Sequence, residues 1–148
     1  MDTSSPIDIE LAIQGLGGEP QIFYMMLGNL EGMTLNPTMK NIIVPYEQNN
    51  FQEMKDLAHS LKGASGYIGA SRLHYVCYFI QEHFVFERHD KMTEYYPSLV
   101  EAAIEFKIHS RKIIAKFKGK LKDVIYNYLS LGENFISLPE YETIDCSD

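Results

Sequence analysis

At 148 residues, with 45% hydrophobic and 22% charged side chains, the chain fits one globular domain that can bury a substantial core. Its net charge of −7 argues against nonspecific nucleic-acid binding. A membrane span needs about eighteen consecutive apolar residues, and no such run exists. Met1-Asp-Thr-Ser-Ser-Pro-Ile-Asp also lacks the basic start and apolar stretch of a secretory signal. The expected location is the cytoplasm, with the nucleus as a second compartment.

Glu10-Leu-Ala-Ile13 followed by Gly15-Leu-Gly-Gly18 predicts one or two helical turns and a glycine stop. Pro20 suits a first helical turn. Ile22, Phe23, Met26, Leu27 and Leu30 then recur at three and four residues, predicting a helix over 20–34. Asn36-Pro37 reads as a cap and restart for a helix to about residue 48, which Pro45 weakens or ends early. Asn49-Asn50 is a turn and cap for a helix over 51–67. Ser71 starts another, to about residue 87, with Leu73, Val76, Cys77, Ile80 and Phe84 as its core stripe and Phe79 expected in the core.

After a connection at Arg88-His89-Asp90, a heptad-like series from Tyr96 through Leu99, Ala103, Phe106, Ser110, Ile113 and Phe117 to Leu121, Val124 and Tyr128 predicts one long helix over 93–130. Pro97 falls near its start and Gly119 at its weak point. No strand alternation and no internal repeat is present. The predicted fold is all-α, a four-helix up-down bundle with a short N-terminal helix and a long C-terminal one, occupying residues 1–131. Residues 132–148 lose periodicity, gain acid and read as a loosely ordered acidic tail.

Several features carry no chemistry of their own. Cys77 on a core stripe and Cys146 in the tail read as free thiols. The five histidines, His59, His74, His83, His89 and His109, contain no i,i+4 pair and no His-Glu-x-x-His, so no metal site is expected. His74 and His83 are expected at the rim or facing a partner. Seven of the thirteen Lys and Arg lie between Lys107 and Lys122 without an intervening acid; a solvated helix face is the plainer reading, a basic docking surface the other.

The stretch that needs explaining is Ala58-His-Ser-Leu-Lys-Gly-Ala-Ser-Gly-Tyr-Ile-Gly69. With Phe51, Met54, Leu57/Ala58, Leu61, Ser65 and Ile68 forming the inward stripe, His59 lies about 150° from the centre of that face. It therefore points to solvent, with Lys55, Lys62, Gly63 and Gly66 beside it. Each helix-interior glycine costs about 1 kcal/mol relative to alanine, and close approach by another molecule would offset that cost. An exposed imidazole is partly neutral at pH 7 and nucleophilic. Lys62 could neutralise an anion transferred to it, while Gly63 and Gly66 keep bulk off the approach. This is the chemistry of a phosphoryl acceptor.

His59, Lys62, Gly63, Gly69 and Leu73, with Ala58, Leu61, Ala64 and Ser65 around them, resemble the signature of histidine-containing phosphotransfer (HPt) domains, and the helix order is similar over roughly residues 7–130. The resemblance implies a four-helix bundle with His59 phosphorylated, Lys62 stabilising the phosphate and Gly63 making room for a receiver domain. It further implies that Gln81, on the following helix, orients His59. Some members carry a basic residue one turn beyond that glutamine, where this chain has Val85, and Arg88 is a poor substitute. Lys55, Gly66, Tyr75 and Tyr78 complete the expected docking face.

The implied role is a carrier between aspartates of response-regulator receiver domains, including that of a hybrid sensor histidine kinase, acting as a monomer. No cofactor is expected on this chain. Mg²⁺ is expected on the receiver, because few carboxylates lie near His59 to hold it. Without a Walker sequence or Gly-rich phosphate loop, no ATP-dependent kinase activity is expected. Two rivals are a helical adaptor that is never phosphorylated and a small enzyme using His59 as general base; the latter lacks a partnered carboxylate in sequence reach.

Overall fold

The computed structural model describes residues 1–129, with side chains through residue 119. The acidic 132–148 segment, Cys146, and the side chains of Leu121, Val124 and Tyr128 lie outside the described residues. Within them, all regular structure is helical: α1 (Ile9–Gly15), α2 (Pro20–Asn29), a π-helical stretch (Leu30–Leu35), α3 (Asn36–Asn41), α4 (Ile43–Glu47), α5 (Phe51–Tyr67), α6 (Ser71–Val85) and α7 (His89–Leu129).

The expected break at Asn36-Pro37 is not there. Asn36 has helical dihedrals, its side chain caps nothing, and its N–H donates to the Glu31 carbonyl five residues back. In an α-helix the Pro37 ring would strike the carbonyl four residues earlier; the wider π turn just before it relieves that clash. The interruption falls instead at Ile42, where Pro45 has no N–H to return to Asn41. Residues 20–47 thus form one bent helical run rather than two capped helices.

Four helix ends share one closure. The residue after the cap turns left-handed, at Gly17 (φ 74°), Asn49 (φ 55°), Gly69 (φ 74°) and Glu87 (φ 57°). The N–H of the next residue then reaches five back, from Gly18 to Ile13, Asn50 to Pro45, Ala70 to Ser65 and Arg88 to His83, at 2.7–2.9 Å. These paired bonds satisfy carbonyls the helix leaves open. They also make the connections short, so α7 begins at His89 rather than at residue 93. It then runs through Pro97 and Gly119 without interruption.

Most residues of the predicted stripes form the core, whereas Ile22 of the α2 stripe is 41% exposed. Met54, Ala58, Leu61, Ser65 and Ile68 of the α5 segment meet Leu73, Cys77 and Ile80 of α6, with Leu99, Ala103 and Phe106 of α7 and Phe23 and Leu27 of α2 closing the interior. Complete burial of such side chains contributes about 1.5–3 kcal/mol each. Burial also pushes the Cys77 thiol up to about 12, leaving it inert at neutral pH. Phe79, expected in the core, is 40% exposed. It sits on the flank of the α6 stripe, where only Tyr78 and Tyr95 offer ring contacts.

The basic stretch divides on folding. Lys107 is buried and Arg111 forms a two-pronged pair with Glu31 (3.1 and 2.6 Å), anchoring the π segment to α7. Lys112 and Lys116 are exposed. Part of the stretch is therefore interior and cannot act as an outer surface.

The N-terminal segment is strapped across the α5–α6 turn. Ser71 Oγ donates to the Ser5 carbonyl (2.8 Å), and Arg72 donates to the Thr3 and Ser4 carbonyls (3.0 and 2.9 Å). The Asp8 N–H donates to the Gly69 carbonyl (2.7 Å), while the Asp8 carboxylate caps α1 through the Leu11 N–H.

Candidate functional site

α5 starts cleanly because Asn50 accepts from the Glu53 N–H and donates to the Glu53 carboxylate, a reciprocal cap. From that start the inward stripe leaves His59 exposed on the outer face. Its Nδ1 lies 3.1 Å from Gln81 Oε1. An amide oxygen only accepts, so Nδ1 carries the proton and the lone pair sits on Nε2. The amide thereby selects the tautomer and restrains the ring.

The α5–α6 connection is only three residues, so the two helices run antiparallel and pair in steps. His59 meets Gln81. One turn along α5 and one turn back along α6, the Lys62 ammonium lies 5.8 Å from the centre of the Tyr78 ring. One turn further, Gly66 faces His74, whose Nδ1 is 3.0 Å from the Lys62 carbonyl. The pairs follow from three- and four-residue spacing on both helices.

The two site glycines differ in what surrounds them. A Cβ on Gly63 would meet nothing within 4 Å, whereas one on Gly66 would lie 2.8 Å from His74 Nδ1. Open approach therefore exists at Gly63; the space at Gly66 is filled from within the chain. His74, expected at the rim, is half-buried in that contact. His83 is half-buried too, and burial holds it below its ordinary value.

Lys55 sits on the His59 flank but is half-buried, paired with Asp56 (2.7 Å) and lying over the Phe84 ring. Tyr75 meets the His74 ring edge-on and lines a groove between α6 and α7. Sequence reasoning missed Glu82, whose carboxylate, one turn along α6, pushes the Tyr78 phenol's pKa up. It also missed the apolar flanks of the site. A groove bounded by Lys62, Tyr78, Gln81 and Val85 lies on one side, and one bounded by Met26, Met33, Gly63 and Tyr67 on the other. Met33 is 75% and Val85 64% exposed. Helical phase alone would have flagged both residues as outward apolar positions. Val85 leaves no cation on α6 one turn past Gln81, and Arg88 lies over the Phe86 ring instead.

Among the described residues, no group of three or more His, Cys, Asp and Glu is placed to hold a metal, and no helix is long and apolar enough to cross a membrane. The model of the Hpt domain family matches residues 26–107, more than half of the chain. The chain belongs to the Hpt domain family. The matched span contains all of α5 and α6, and with them His59, Lys62, Gly63 and Gln81. Hpt domains carry phosphoryl groups on a histidine in two-component phosphorelays; they are carriers rather than kinases. No curated protein and no solved structure matches the chain.

Proposed function

We propose that this Hpt protein shuttles a phosphoryl group between aspartates of response-regulator receiver domains, with His59 as the acceptor. One donor would be the receiver of a hybrid sensor histidine kinase. The observation that carries the reading is the exposed His59 ring with Nδ1 committed to Gln81, which leaves Nε2 as the outward nucleophile. In the forward step the Nε2 lone pair attacks phosphorus in line. The N–P bond forms as the bond from phosphorus to the aspartyl oxygen breaks, and the carboxylate leaves with the electron pair. The Nδ1 proton stays with the ring, held by Gln81. In the return step a second receiver's carboxylate attacks phosphorus and His59 leaves as neutral imidazole.

Lys62 supplies positive charge beside the transferred group, and Gly63 gives the receiver clearance. Mg²⁺ would be held by the receiver's carboxylates and neutralise charge developing on the phosphoryl oxygens. The fold proposed is the four-helix bundle of the family, with the helical run 20–47, α5, α6 and α7 as members and α1 as the short N-terminal helix. The protein would act as a monomer in the cytoplasm or nucleus.

The test is to incubate the protein with a receiver domain charged by acetyl phosphate and Mg²⁺ and to look for acid-labile, base-stable label. Label supports the relay; its absence on wild type would leave the unphosphorylated adaptor. Two variants refine it. Gln81→Leu frees the ring and its tautomer and should slow transfer about tenfold, the cost of losing one orienting hydrogen bond of roughly 1.5 kcal/mol, without lowering the amount of folded protein. Gly63→Gln replaces a helix-interior glycine, so it should stabilise the fold by about 0.5–1 kcal/mol while slowing transfer by obstructing the receiver. Thermal unfolding and stopped-time labelling read the two effects separately.

A further inference from the structure

The antiparallel pairing of α5 with α6 places Tyr78 against Lys62 in the same way that it places Gln81 against His59. We propose that Tyr78 is a positioning residue that holds the Lys62 ammonium at the His59 face through its ring; this rests on the relay reading above. A lysine side chain on a helix surface has four freely turning carbons and gains little from any one rotamer. The Tyr78 ring face removes part of that freedom, since a cation within about 6 Å of a ring centroid is attracted by the ring quadrupole. The arrangement matters more here because Val85 supplies no cation and Arg88 is drawn to Phe86. The charge available beside His59 on this side is therefore the one Tyr78 orients. Since α6 carries both Tyr78 and Gln81 one turn apart, a single helix face sets the nucleophile and its counter-charge together.

The proposal is tested by two readouts. In NMR spectra of the full chain, the Lys62 ε-methylene protons should be displaced upfield by the ring current, keep that displacement in Tyr78→Phe and lose it in Tyr78→Leu. In the labelling assay, Tyr78→Leu should slow transfer about two- to fivefold, the equivalent of one exposed cation–π contact, with Tyr78→Phe close to wild type. The decisive arm is the cycle with Lys62→Ala. In that background Tyr78→Leu should cause no further loss, whereas a merely structural effect would persist. Absence of the upfield displacement, or losses that multiply independently, would overturn the role of Tyr78 while leaving the relay reading intact. Wild-type protein that accepts no label would overturn both, and the two failures are thereby distinguished.

Discussion

His59→Gln is expected to abolish label from a phosphorylated receiver while leaving the fold unchanged. Glutamine is a good helix former and still presents an amide to Gln81, so the packing of α5 on α6 has no reason to alter. What disappears is the nitrogen lone pair: an amide nitrogen is not a nucleophile at neutral pH, and no neighbouring group replaces it. Lys62 is one turn away, but as a protonated ammonium it offers no lone pair, and His74 is half-buried with its ring nitrogen against the Lys62 carbonyl. Loss of label should therefore reach background rather than a fraction. Because His59 is exposed, the thermodynamic change should stay within about 0.5 kcal/mol. The check is a matched pair of thermal unfolding and labelling measurements. Undiminished label on the variant would move the acceptor to another residue.

Gly69→Ala should be the most destabilising of the small substitutions in the α5–α6 region. Two independent costs fall on it. The left-handed conformation (φ 74°) costs a residue with a Cβ about 1–2 kcal/mol. In addition, the new Cβ would lie 2.5 Å from the Asp8 carbonyl oxygen and 3.0 Å from Ala12 Cβ, and both belong to the N-terminal strap and helix rather than to a flexible side-chain end. Relief requires the strap to lift, loosening the Asp8 N–H to Gly69 bond and the Ser71 and Arg72 bonds to Ser5, Thr3 and Ser4. With one or two of these bonds lost at about 1 kcal/mol each, the total is on the order of 3 kcal/mol, or roughly a 10 °C fall in melting temperature for a domain of this size. Transfer at low temperature should survive, because the strap does not touch His59. A melting temperature within 2–3 °C of wild type, about 1 kcal/mol, would show that neither the φ constraint nor the strap contact has the assigned weight.

The helical class, the inward stripes of α5 and α6 and the outward placing of His59 were legible from residue spacing. The same holds for the cap at Asn50 and for the family, since His59, Lys62, Gly63, Gly69 and Leu73 all lie on or next to two consecutive helices. Each of these is a local property: a turn of about 100° per residue relates a side chain to others on its own helix and needs nothing else. The same locality explains the errors. Asn36-Pro37 reads as a restart because the π turn that relieves Pro37 has no sequence period of its own. Phe79 reads as core because the width of the groove between α6 and α7 is not written in α6. His89 reads as loop because the closure at Glu87 uses a left-handed residue that is not glycine.

Gly63 and Gly66 mark the division. By sequence they are equivalent, two glycines beside an outward histidine, and both read as clearance for a partner. Folding separates them, because His74 from α6 fills the space over Gly66 and nothing fills the space over Gly63. The histidine, the lysine and their helical phase were determined by the sequence alone. Which α6 residue stands opposite each was decided by the tertiary structure. The three-residue turn closed at Gly69 sets the antiparallel register, and through it Gln81 accepts the hydrogen bond of His59 Nδ1 and Tyr78 lies under the Lys62 charge.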